Sequence, residues 1–466
     1  MDRHDRDRRA LEAARLTRRL TEHGVVGVAL TWVDNSGVHR MKAVPVERFE
    51  RAATWGVGAS PVFDAFTPDD TIVVGRFAGG PVGDLRLLPD LDRVTVLSAL
   101  PGWAWAPVDR YTQDGDRHPQ DSRGLLRRAV AQLAEDDLTA KAAFEIEWVV
   151  GQDSEASNAS DASAGFVPAT RGPAYGVTRL VERSGYLADV LSALRDQDIR
   201  VEQIHPEYAA GQFEVSVTAE DPLGAADTFV LVRETIRAVS LRHGMRASFS
   251  PKVDAAGVGN GGHVHLSLWR EGINLHSGGD GPCRITDTAE SFAAGILDRL
   301  PALLAVGAPS AASYLRLVSG AWAAPFQVCG HENREAALRL ITGSSGDEAG
   351  AANLEVKVLD QSANPYLCMA GLLFAGMWGV RAGLRLPPLV DVDPATLPEE
   401  EFIRRGIRRL PSSLSESTDA FEADTLLTHE FGTELAATIV DVHRAEIERF
   451  RGATDDEIAA ALRWAF

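Results

Sequence analysis

The sequence predicts an α+β fold in two unequal parts, and three observations carry that prediction. Strand-like runs crowd the first quarter of the chain. The amphipathic segment "SRGLLRRAVAQLAEDD" then leads into a long apolar strand that holds two acids. The final stretch is mainly helical in pattern, including "LLTHEFGTELAATIVDVHRAEIERF". At 466 residues the chain exceeds one ordinary core and has room for two or three domains.

Taken in order, residues 1–23 form a charged, partly helical lead-in. "MDRHDRDRRALEAARLTRRL" lacks the apolar centre of a signal peptide, and its aspartates speak against a transit peptide. "VVGVALTWVDNSGVHRMKAVPVERF" reads as two strands around an Asn-Ser-Gly turn. "TIVVGRF" and "RVTVLSAL" read as further strands, completing a small β-rich domain over residues 24–115. The following helix starts at a serine cap and opens a larger α+β domain, residues 116–466. "GQDSEASNASDASAG" has no periodicity and is expected to be a flexible surface hairpin or insert. Helices are expected at about 184–199 and 222–243, and strands bearing polar motifs at 205–218 and 245–269. No fixed-period repeat is present.

Composition narrows the function. A net charge of −19 argues against nucleic acid or an anionic membrane surface as partner. No run approaches the roughly 18 consecutive apolar residues of a membrane span. Cys283, Cys329 and Cys368 are scattered and odd in number, without zinc spacing, as suits a reducing cytoplasm, the expected location. Lys42, Lys141, Lys252 and Lys357 are the only lysines among 47 basic residues.

"AAFEIEWVVG" places Glu145 and Glu147 at i and i+2, on one face of a strand. Two anions side by side in a cleft need a strong positive partner, because an unpaired buried charge is very costly. "HPEYAAGQFEVSV" sets Glu207 and Glu214 either side of a small-residue turn. "GVGNGGHVHLSLW" opens a glycine-rich loop onto His263 and His265, again i and i+2. "ENREAALRL" supplies Arg334 and Arg339, and "NLEVKVLDQSANPYL" supplies Glu355 and Lys357. Each element alone is compatible with a solvated hairpin or a surface ion pair. Together, five glutamates, the histidines and several cations suit Mg²⁺ or Mn²⁺, which prefer oxygen ligands and tolerate imidazole. Arginines beside such ions suit a phosphoryl group in transfer. Neither a G-x-x-x-x-G-K-[ST] loop nor a Rossmann glycine signature is present, so a nucleotide needs another scaffold.

In order and spacing these motifs resemble the glutamine synthetase family from about residue 24 to the C-terminus. "FEIEW" resembles its E-x-E strand, "HPEYAAGQFE" its H-H-E-V-A-x-G-Q-x-E segment, and "GNGGHVHLSL" its G-S-G-M-H-x-H-x-S-L. "SYLRLVSG" is similar to N-S-Y-x-R-L-V-P-G, "NREAALRL" to N-R-S-A-x-x-R-I, and "NLEVKVLDQSANPYL" to E-x-R-x-x-D-x-x-A-N-P-Y-L. The resemblance implies a β-grasp-like N-terminal domain, a catalytic domain with a curved antiparallel sheet and helices, and active sites between subunits of stacked rings. It implies a homo-oligomer, expected as a dodecamer of two hexameric rings, with ATP and two or three Mg²⁺ or Mn²⁺ ions per site. Glu147, Glu207 and Glu214 would bind one ion, and Glu145, His263 and Glu355 another. His265 and Ser267 would lie along the ATP site, with Arg334 and Arg339 on its phosphates. Gly259 and Arg316 would hold glutamate, and Lys357 stands where the family has an arginine beside the transferring phosphate. The implied chemistry is phosphorylation of the glutamate γ-carboxylate, then attack by an amine to leave a γ-amide.

The departures gather on the amine side. The family's ammonia users carry a flap glutamate in R-L-V-P-G-Y-E, where "RLVSGAW" has Trp322. Their F-D-G-S-S-like stretch has an aspartate where "GVGASPVFDAF" has Ser60, with Asp64 nearby. Lys357 exchanges a planar fork for a point charge, and Asn353 replaces a phosphate-side arginine. Loss of acids at an ammonium site predicts a larger primary amine, such as ethanolamine or a polyamine, and favours a short amine with a neutral tail. Two alternatives stay open: an ordinary glutamine synthetase in which Asp64 substitutes for the flap acid, and a catalytically weak binding or regulatory homologue. The stretch "PPLVDVDPATLPEEEF" has no tyrosine, so control by adenylylation there is not expected.

Overall fold

The runs "GVALTWV" and "HRMKAVP" pair as the first hairpin, β1 (Gly27–Val33), buried along nearly its whole length, and β2 (His39–Pro45), which is more exposed. The computed structural model of the chain describes residues 3–152 and 166–466, so most of the expected insert lies outside the described residues. With β3 (Val57–Ala59), β4 (Leu85–Pro89), β5 (Thr95–Val96) and β6 (Trp103–Tyr111), the hairpin makes a mixed sheet in the order β2-β1-β6-β4-β3. β1 runs antiparallel to β2 and parallel to β6. Leu20 of α1 (Arg3–Glu22) and Phe49 and Ala52 of α2 (Phe49–Trp55) share a core with Val28, Leu30, Leu87 and Val108 of this sheet.

Three local expectations are corrected. "TIVVGRF" forms no strand: Ile72 makes a single bridge to Phe66, and Val74 is 81% exposed with no partner strand to bury it. "RVTVLSAL" contributes only the two residues of β5, after which Ser98 turns its hydroxyl to the Ala193 carbonyl. The cap of α3 (Ser122–Glu135) is Asp121 rather than Ser122, and the Asp121 carboxylate receives Arg117 instead of a helix N–H.

The second sheet contains β7 (Thr139–Gln152), β8 (Val201–Pro206), β9 (Gln212–Val217), β10 (Met245–Ser248), β11 (Val264–Arg270) and β12 (Ile273–Asn274). β13 (Cys329–His331), β14 (Leu338–Ile341) and β15 (Asn353–Val356) complete it. The path is β13-β14-β15-β11-β7-β9-β8, antiparallel except for β13 with β14. β7 is long enough to change neighbours: β11 pairs with it up to Phe144, and β9 from Glu145 to Val149. The strand thus joins both halves of the sheet at the two acids. Its buried side packs on helices, including α3, α4 (Val177–Arg195) and α5 (Pro222–Arg242).

Behind these, α6 (Asp287–Gly307) meets α7 (Pro365–Ala382), which is apolar nearly all round and therefore buried. They approach backbone to backbone: a Cβ on Gly379 would lie 2.2 Å from the Ser291 carbonyl oxygen. α7 begins at Asn364, whose side chain accepts the N–H groups of Tyr366 and Leu367. Asn364 also donates to the Val33 and Asp34 carbonyls, at 3.1 and 3.0 Å, joining the two sheets. Among the described residues no helix is long and apolar enough to cross a membrane, and all three cysteines are free.

Candidate active site

Register alone assembles the site. Glu147 faces Glu214, which faces His205, across β7, β9 and β8. On the other half, His265 faces Glu355, which faces Arg339, across β11, β15 and β14. Glu145, His263 and Lys357 stand two residues from Glu147, His265 and Glu355, so period-two alternation puts all of them on one face.

Side-chain contacts divide the cluster into two nests. In one, His263 Nδ1 lies 2.7 Å from Glu145 and 3.3 Å from Glu355. His265 Nε2 lies 3.0 Å from Glu145, while its Nδ1 is 2.9 Å from Asn353 Oδ1. Lys357 Nζ and Arg339 Nη1 each donate to Glu355, at 3.1 and 3.0 Å. In the other nest, His205 reaches Glu207 and Glu214, both at 3.4 Å, and the Tyr175 hydroxyl donates to Glu207. Two sets of donor atoms, Glu145/His265/Glu355 and His205/Glu207/Glu214, each lie within 4.8 Å of one another. Glu147 stands between the nests, receiving Gln212 Nε2 at 2.8 Å and the Gly261 N–H at 2.9 Å.

The electrostatics follow from burial and from the charges packed beside each carboxylate. Burial, with Glu214 beside it, pushes the Glu147 carboxyl up to about 8. Burial also raises Glu214. Burial opposes ionisation of Glu355 too, yet Lys357 and the two histidines hold it down to about 2. Buried carboxylates that repel each other, with imidazoles interleaved, are the donor set that a hard divalent cation satisfies.

The glycine loop presses directly on this face. A Cβ on Gly261 would lie 2.6 Å from His263 Nε2 and 2.8 Å from Glu147 Oε1. Gly259 packs on Arg316, where a Cβ would lie 2.7 Å from its Cγ. Buried Arg316 donates to the Lys357 carbonyl at 2.9 Å. Gln361 Nε2 ties the loop to the strand, donating to the Glu145 and Gly261 carbonyls at 2.8 Å each. On the β11 side a cavity of about 560 Å³ is lined by Lys141, His265, Ser267, Trp269 and Asn353 among others. Arg334 is exposed and makes no ion pair or hydrogen bond among the described residues, whereas Arg339 is shared between Glu355 and Glu332.

The residues expected on the amine side have other partners. Ser60 caps the turn Pro61–Ala65 through its hydroxyl and shares no hydrogen bond with the cluster. Asp64 cannot stand in for a flap acid. It is fully buried, bonded to Arg110 at 2.6 Å and His118 at 2.9 Å. Trp322 is 54% exposed and lies against Tyr208, ring centroids 5.6 Å apart. Tyr208 meets Tyr175 at 5.7 Å, and Tyr175 stacks on His205 at 5.1 Å. Under the flap sits Glu335, which accepts the Trp322 N–H at 2.8 Å. An acid that the sequence analysis did not name thus lies beside Trp322. Tyr175, His205, Tyr208 and Glu335 all escaped the sequence reading. Three left a signal: His205 opens the "HPEYAAGQFE" motif, Tyr208 stands where its H-H-E-V pattern has valine, and Glu335 stands in "NREAALRL" where the N-R-S-A pattern has serine.

A sheet with acids, imidazoles and cations gathered on one face defines a carboxylate-rich site whose donor set suits divalent cations. The family model for the glutamine synthetase catalytic domain matches residues 119–460. A gamma-glutamylpolyamine synthetase from Streptomyces coelicolor is 53% identical over 455 residues, covering 97% of this chain and 96% of the relative. A glutamate–isopropylamine ligase from a Pseudomonas species is 28% identical, covering 92% and 93%. The crystal structure of a novel glutamine synthase homologue superposes with a TM-score of 0.83 at 31% identity, covering 94% of this chain and 98% of that one. The chain belongs to the glutamine synthetase family. It is an ATP-dependent ligase of that family, whose members use ATP and divalent metal ions.

Proposed function

We propose that the protein joins the γ-carboxylate of glutamate to a polyamine, in a homo-oligomer of stacked hexameric rings with active sites between neighbouring subunits. The observation that carries the choice of amine is the file of rings Tyr175–His205 and Tyr208–Trp322, which starts at the Glu207/Glu214 nest. Aromatic faces hold alkylammonium chains through apolar contact and cation–π attraction. Ammonia gains nothing from such a wall. The relative that is 53% identical is a gamma-glutamylpolyamine synthetase, which supports the same reading.

In this reading ATP occupies the cavity beside His265, Ser267 and Trp269, with its phosphates turned toward the carboxylates. Glu147, Glu207 and Glu214 would hold one divalent ion and Glu145, His263 and Glu355 a second, and the ions supply neutralisation of phosphate charge. Gly259 and Arg316 form the wall for glutamate. Its γ-carboxylate oxygen attacks the terminal phosphorus of ATP, releasing ADP and leaving an acyl phosphate. Arg334, Arg339 and Lys357 stabilise the negative charge on the moving group. The amine nitrogen then bonds to the acyl carbon, the carbon–oxygen bond to phosphate breaks, and the nitrogen sheds its proton.

The test is phosphate release and γ-glutamyl product formation with Mg²⁺, ATP and glutamate. Putrescine, spermidine, ethanolamine and ammonia are compared. Turnover with putrescine or spermidine well above the other two is expected; preference for ammonia or ethanolamine overturns the polyamine assignment. Light scattering of the purified protein measures the ring assembly.

A further inference from the structure

We infer that Glu335 is the anchor for the distal ammonium of the acceptor, the charged nitrogen that does not react. This rests on the polyamine reading above and names the residue that would make it selective.

Glu335 is 8% exposed, and its two oxygens are used unequally. Oε1 accepts the Trp322 N–H at 2.8 Å, and the Ala324 N–H also pulls on the carboxylate, yet Oε2 is buried and completes no hydrogen bond of good geometry. A carboxylate oxygen closed off from water and left without a donor is expensive, and native structures seldom keep one without a use. What satisfies it must be a donor, and best a cation. Lysines are scarce in this chain, and none fills the place: Lys357 is committed to Glu355 at 3.1 Å.

The surroundings fit an alkylammonium. The backbone above Glu335 belongs to Trp322, whose ring lies against Tyr208 and, through Tyr175, continues to the Glu207 nest. An extended diamine running along these rings would place one nitrogen by Glu207 and carry the other toward the flap. Trp322 and Ala324 hold φ of 55° and 56°, a region unfavourable for residues with side chains. The flap is thus held in an unusual shape over this carboxylate. Burial, with Asp393 adding to it, raises the Glu335 carboxyl against the pull of the Trp322 and Ala324 N–H groups and of Lys357, and a bound ammonium would reverse that.

The test compares putrescine with n-butylamine, which has the same carbon chain but no second nitrogen. Wild type and Glu335→Gln are assayed for γ-glutamyl product, with Glu335→Asp as a conservative control and thermal melting as a check on folding. Expected is a loss of about 10–100-fold in kcat/KM for putrescine in Glu335→Gln, the worth of one charge-assisted contact. The loss should fall mainly in KM, n-butylamine should be unchanged, and Glu335→Asp should recover part of it. Equal losses for both amines, or no loss for either, with wild type still turning over putrescine, overturn the role of Glu335 and leave the polyamine reading standing. A wild type that uses neither putrescine nor spermidine removes both.

Discussion

The two halves of the active face are built by different means. The carboxylate half sits on strands: His205, Glu214 and Glu147 lie in one cross-strand row, and Arg339, Glu355 and His265 in another. Each side chain is aimed by the pleat and held in register by its neighbouring strand. The amine half sits on connections: Tyr175 precedes α4, Tyr208 occupies the β8–β9 turn, and Trp322 and Glu335 belong to the segment between α6 and β14. In the proposed reading, chemistry common to all substrates is carried by the rigid part, and choice of substrate by the part that tolerates change.

The difference is sharpest in the consequences of single substitutions. Glu147→Gln should lower phosphate release about 10²–10³-fold with every amine, as expected when one preorganised charge is removed from a phosphoryl site. An effect confined to one amine would break the division between the halves. Second in size is the response to Mg²⁺. Relief of repulsion around buried Glu147 and Glu214 should raise the melting temperature, by about 2.7 kcal/mol of stability at a hundred times Kd. Differential scanning calorimetry with and without EDTA measures it, and the rise should shrink in Glu147→Gln.

On the amine half the effects are smaller and selective. Tyr208→Ala should reduce kcat/KM for putrescine by roughly 2–30-fold, the range of about 0.5–2 kcal/mol for a cation–π contact. The KM for ATP should hold, and a change in it would place Tyr208 outside the amine path. Smallest is Trp322→Glu, which returns an acid to the flap. At a half-exposed position one charge is worth up to about 1 kcal/mol, so the ammonia-to-putrescine ratio should rise by roughly two- to five-fold. Competition assays with both amines read this directly.

The same division explains what the sequence disclosed. Pairs such as Glu145/Glu147 and His263/His265 announce themselves because strand alternation makes i and i+2 co-facial wherever the strand ends up. The α+β class followed from the same periodicities. "TIVVGRF" misled because β propensity reflects a packed surface, and Val74 has none to pack on. Tyr175, Tyr208 and Trp322 meet from three separate connections, and no periodicity links such residues. Asp64 looked available by proximity in sequence, but Arg110 and His118 come from elsewhere in the chain to take it.

The turn from Asp360 to Asn364 has a consequence for anyone who would cut or graft this protein. Gln361 pins the glycine loop to β7, Asn364 grips the end of β1, and at Gly37 any side chain would strike the Ser362 carbonyl oxygen, 1.9 Å from an added Cβ. One short span is therefore both hinge-pin and wall. Exchanging the 319–325 flap with that of a relative touches neither duty. Trimming away the N-terminal sheet to obtain a smaller enzyme would leave the pin with one bearing, and the glycine loop would lose its seat.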